Sequence, residues 1–75
     1  MTKSKQYMEE LAKICKEKKY SKEVFSIIAI ICCSEQMHNV GYSSEQALQK
    51  AIELVKEKDK SQVYKELLKI AGQEI

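Results

Sequence analysis

Seventy-five residues suffice for one hydrophobic core and are too few for two. Hydrophobic residues make up 44% and charged residues 32%, with a net charge of +2, which excludes a disordered polyelectrolyte and leaves no strong footprint for nucleic acid or an anionic membrane. Proline is absent and only two glycines occur, so turns are few and a handful of helices is favoured over many short strands.

The first predicted helix covers residues 4–19. Tyr7, Met8, Leu11, Ala12 and Cys15 recur at the spacing of one amphipathic stripe. Ser21 then precedes Lys22-Glu23-Val24 and is placed to cap a second helix over 22–39, with Glu23 in its first turn. Between Val24 and Cys33 only Ser26 is polar. The run is rich in β-branched residues, but no second segment is available to pair with it as a strand, and a lone strand leaves its backbone groups unsatisfied. At about 100° per residue, Val24, Ile27, Ile28 and Ile31 share one side in its first half. Cys33, Met37 and Val40 fall on nearly the opposite side in its second half. That pattern predicts a central helix surrounded by the others, with Ile28 and Ile31 deeply buried.

Asn39-Val40-Gly41-Tyr42 ends this element; Ser43 or Ser44 then starts a third helix over 44–58, and Ser43 with Gln46 fits a capping box. Ala47, Leu48, Ala51, Ile52 and Val55 repeat the first helix's spacing. Lys56 to Ser61 interrupts the stripe, and Asp59 or Ser61 is the expected cap of a last helix over 61–72, closed by Gly72. Its stripe is Val63, Tyr64, Leu67, Leu68 and Ala71. The expected fold is therefore an all-α, compact four-helix bundle with an apolar central second helix, forming a single helical domain over 1–75.

All thirteen basic residues are lysines. Lysine codons are AT-rich, which points to a low-GC bacterium or its phage; physically, the chain lacks the guanidinium fork that reads guanine or grips phosphate. The densest basic stretch, Lys13 to Lys22, reads as a solvated helix end. Followed by Val24–Cys33 it mimics an export signal, yet no small-residue cleavage site follows, and ten apolar-leaning residues fall short of the about 20 that span a bilayer. Three cysteines, Cys15, Cys32 and Cys33, form no closed disulfide framework, so free thiols in a cytoplasmic protein are expected. His38, the only histidine, has no zinc-ligand spacing with them, and on one continuous helix Cys33 and His38 point to different faces. No catalytic residue, metal or cofactor is expected.

Met37 to Ile52 resembles the turn of a helix-turn-helix, with Gly41 in the turn and Ala47 and Ile52 facing inward. The resemblance implies a recognition helix offering Gln46, Gln49 and Lys50 to base edges. Against this, Glu45 and Glu53 lie on the same helix and would face phosphates. Val40-Gly41-Tyr42-Ser43 with Glu45-Gln46-Ala47-Leu48 is also similar to the loop and second helix of ubiquitin-associated-type three-helix domains, Leu67-Leu68 standing where those domains carry a dileucine. That resemblance covers less than half the chain and implies a surface of Gly41, Tyr42 and Leu68 for a partner's apolar patch. The helix from Ser44 to Lys58 is longer than that family's second helix.

The function expected from the sequence is a small non-enzymatic protein-interaction module, a bacterial or phage regulator or inhibitor acting on a protein partner. Its candidate surface is Ile30, Cys33, Met37, Val40, Gly41 and Tyr42. A homodimer is expected from the apolar excess of the second helix. The alternative is a helix-turn-helix DNA-binding regulator.

Overall fold

The computed structural model describes residues 2–72. In chain order the helices are α1 (Thr2–Glu17), α2 (Lys22–Cys32), α3 (Glu35–Asn39), α4 (Ser44–Glu57) and α5 (Lys60–Ile70). No strand occurs among the described residues. Four principal helices form an all-α bundle, and the five-residue α3 is the addition. The Cα radius of gyration of 11.2 Å equals what a compact chain of this length requires, about 11 Å.

Local chemistry sets the boundaries. Ser21 accepts from the Val24 amide at 3.2 Å and Asp59 from the Gln62 amide at 2.9 Å, each satisfying a donor that the first helical turn leaves unpaired. At α4 the predicted capping box is complete: Ser43 Oγ accepts from the Gln46 amide, and Gln46 Oε1 accepts from the Ser43 amide at 3.0 Å. α1 stops through a Schellman closure. The Tyr20 amide donates to the Cys15 carbonyl, the Lys19 amide to Lys16, and Lys19 takes the left-handed φ of 63°.

The predicted second helix is broken. Ser34 accepts from the Met37 amide and caps α3, so the span 22–39 is two helices with Cys33 and Ser34 between them. The reason lies in the face change read from the sequence. Nine residues at about 100° each carry Met37 about half a turn round from Ile28, onto the outside of a continuous helix. Breaking at Ser34 turns Met37 back into the same core, where both it and Ile28 are wholly buried.

With the break, α4 takes the position expected for the second helix. It packs against α1, α2, α3 and α5, and its Ala47, Leu48, Ala51, Ile52, Leu54 and Val55 are all buried. α2 contributes only Ile28 and Cys32 at full burial. Ile31, expected deep in the core, is partly buried on its flank. Ile27, expected beside Ile28, is 46% exposed. Both lie off the line through Ile28 and Cys32, which is the line that meets α4.

Lysine and tyrosine side chains add polar ties between the elements. Lys18 Nζ donates to the Lys56 carbonyl at 3.2 Å, and the Tyr20 hydroxyl donates to the Lys58 carbonyl at 3.4 Å. Both reach carbonyls at the end of α4, the group of acceptors a helix C-terminus leaves unpaired. The Tyr64 hydroxyl donates to the Val24 carbonyl at 3.4 Å, joining α5 to α2.

Candidate functional site

The sequence candidates separate into three environments. Ile30 is the most exposed of the large hydrophobics among the described residues, at 68%, on the outer face of α2 diametrically opposite the Ile28–Cys32 line. Ile27 lies one turn before it and Cys33, also exposed, one turn after. Val40, just beyond α3, is 46% exposed. Met37 is a correction: it is wholly buried and offers nothing to a partner. Ile27 is the residue of this face that the sequence reading assigned to the core.

Gly41 and Tyr42 form the second environment, and their geometry has a structural cause. The Tyr42 amide donates to the Met37 carbonyl and the Gly41 amide to His38, with Gly41 at φ 92°, so α3 ends in the same Schellman closure as α1. Glycine meets that backbone without strain. Tyr42 is half-buried and packs against the core, as Tyr20 does after the first closure. Leu68, implied as a third member of this surface, is half-buried on α5.

The third environment surrounds Cys33. The break at Ser34 brings Cys33 and His38 to the lining of one shallow depression, with Glu35, Asn39 and Tyr42. The expectation that Cys33 and His38 face different ways rested on an unbroken helix and is corrected here. Among the described residues, no three His, Cys, Asp or Glu side chains are grouped so as to hold a metal ion.

The three thiols differ in chemistry. Cys32 is buried, and its Sγ donates to the Ala47 carbonyl at 3.5 Å. Burial, with a smaller contribution from neighbouring Cys33, pushes its pKa up to about 12. Burial also raises the Cys15 thiol. Thiolate chemistry at neutral pH is therefore closed to both, and only Cys33 is open to solvent.

The residues of the alternative reading lie on α4. Gln46 and Gln49 are exposed and Lys50 is half-buried. Gln46 spends its side-chain oxygen on the capping box. Glu53 and Glu57 share the outward face of α4 with Gln49, opposite the six buried residues, so that face carries acids where a phosphate backbone would lie.

A second surface went unread in the sequence. Two adjoining depressions meet at Ala12 and Phe25 and form one open groove between α1 and α2, with Met8 and Leu48 at one end and Cys15 and Tyr20 at the other. Met8 and Ala12 both belong to the first helix's stripe, and each is only partly covered. A stripe predicts burial against something; it does not say whether the chain itself supplies the cover.

Among the described residues no helix is long and apolar enough to cross a membrane. No protein-family model matches the chain, and neither a curated protein nor a solved structure does so.

Proposed function

We propose that the protein is a small non-enzymatic protein-interaction module of the cytoplasm, a regulator or inhibitor that acts by pairing the outer face of α2 with another protein chain. The observation that carries this reading is the exposure of Ile27 at 46% and Ile30 at 68% on successive turns of one helix. Single exposed aliphatics are ordinary, but neighbouring isoleucines on a helix face whose remaining members are short or singly charged make a usable apolar contact. Free thiols suit a reducing compartment.

A second copy of the chain is the simplest partner, through an isologous α2–α2 contact. Sedimentation equilibrium at micromolar concentration is expected to give a mass above the 8.7 kDa monomer, and Ile30→Asp to return it to the monomer. Capture from a host lysate extends the test to other partners: a protein held by the parent chain should be lost from the Ile27→Asp/Ile30→Asp variant. A parent chain that is monomeric throughout and retains the same proteins as the variant contradicts the assignment.

A further inference from the structure

The α1–α2 groove lies on the flank of α2 turned away from Ile27 and borders the isoleucine face only at Cys33, which lines one end of it. Its walls are helical and its floor is apolar, built from Met8 and Ala12 of α1, Phe25 of α2 and Leu48 of α4. Met8, Ala12 and Phe25 are each half-buried, so the floor is partly uncovered. The α1 wall runs from Ser4 to Lys16, about 18 Å at the helical rise of about 1.5 Å per residue, the length of a three-turn helix.

Charge along the rim is one-sided. Lys5, Lys16 and Lys22 line the groove against a single acid, Glu9. The whole chain carries thirteen lysines against eleven acids, so a ratio of three to one is local, not a reflection of composition. Lys18 and Lys19 stand in the turn that joins the two walls. An apolar floor of three turns under a basic rim is complementary to one shape and sign: a short helix with apolar residues on one face and carboxylates flanking them.

We propose that the α1–α2 groove docks an acidic amphipathic helix of a partner protein. Its apolar face seats on Met8, Ala12 and Phe25, and its flanking Asp or Glu side chains meet Lys5, Lys16 and Lys22. Burial on the floor holds the helix, while the lysines select its sign and speed its arrival. A membrane surface is the competing occupant of a basic, apolar feature, but an open depression elongated along α1 and walled by two helices receives a rod better than a plane.

The test uses the full chain and a displayed library of helical peptides about four turns long. Leucine, isoleucine and phenylalanine occupy one face, and Glu, Lys, Gln and Ser occur equally elsewhere. Selection is expected to enrich Glu over Lys, and the Lys5→Glu/Lys16→Glu/Lys22→Glu variant to reverse that preference. Binding of a selected acidic peptide should weaken about tenfold or more in this variant at low salt, three exposed charge contacts being lost and inverted. All three lysines are exposed, so the variant keeps its helical circular dichroism. Ala12→Glu should abolish binding of the same peptide, and Ile30→Asp should leave it unchanged, which separates this groove from the α2 face. Failure to select any peptide, selection without acid bias, or a preference that survives charge reversal overturns the proposal. So does binding to phosphatidylserine vesicles without binding to any peptide.

Discussion

α2 and α4 invert the usual equation of apolar content with burial. Eight of the eleven residues of α2 are apolar, yet only Ile28 and Cys32 are fully buried. Six of the fourteen residues of α4 are apolar, and all six are buried. α4 concentrates its apolar side chains in an arc that faces every other helix, with charged and amide residues elsewhere on its surface. α2 spreads its own around the whole circumference, and three neighbours cannot close around it when α4 occupies the middle. The apolar content of a helix thus measures how much surface it could bury; the arc in which that content lies decides how much it does.

The sharpest way to break this comparison is to remove one wholly buried side chain from each helix. Leu48→Ala in α4 and Ile28→Ala in α2 should each cost about 3 kcal/mol in urea unfolding, since both sit in the same core with almost no exposed surface. A loss under about 1 kcal/mol at either position means the packing described for that helix is wrong. Per pH unit a smaller effect is the alkaline response of Cys32, the thiol that hydrogen-bonds α2 to α4. Its folded pKa is raised above the unfolded value, so the unfolded chain releases this proton first as pH rises. The associated stability is complete below about pH 9, and from there towards pH 12 it falls by about 1.4 kcal/mol per unit. Cys32→Ala should flatten that decline when unfolding free energy is measured against pH. An unchanged slope places the alkaline loss on other groups, with Cys15, Tyr20 and Tyr64 the next to examine, since burial raises each of them.

The smallest effects sharpen the comparison within α2 itself. Ile31→Ala, on the flank of the core, should cost about 1–2 kcal/mol, less than Ile28→Ala because part of the side chain is already in water. Ile30→Ser should change the stability of the isolated chain by no more than about 0.5 kcal/mol. Measured in that order, the series maps the arc of α2 that meets the core; equal losses at all three positions contradict a one-sided α2.

The helices were legible because a period of 3.6 residues marks an amphipathic face, and their starts because Ser21 and the Ser43–Gln46 pair carry cap chemistry at the right spacing. Two features carried no comparable mark. The break at Ser34 has neither glycine nor proline, and a serine after ten apolar-leaning residues reads equally as a tolerated polar position. Lys19 at φ 63° was invisible for a related reason: any residue can be forced left-handed, and only glycine or asparagine announces it. Set beside each other, Lys19-Tyr20-Ser21 and Gly41-Tyr42-Ser43 are one device used twice, a left-handed residue, a tyrosine laid on the core and a serine that opens the next helix. The recurrence gives the Gly41-Tyr42 turn a structural role sufficient to account for both residues. Of the candidate surface, the exposure of Ile30 followed from having too many apolar faces on one helix, whereas the groove depends on how far α1 and α2 splay, which spacing along either helix does not encode.

α3 has a consequence in time. Five residues make too few turns for a helix to persist on its own, so α3 exists only while Met37 is seated and Ser34 and Gly41 hold its two ends. Segments held by one buried side chain open at a free energy well below that of global unfolding, and they do so while the rest of the molecule remains folded. Each such excursion withdraws Met37 from the core and lengthens the tether between α2 and α4. Backbone amides of residues 37–42 should then exchange their hydrogens with solvent long before those of α4.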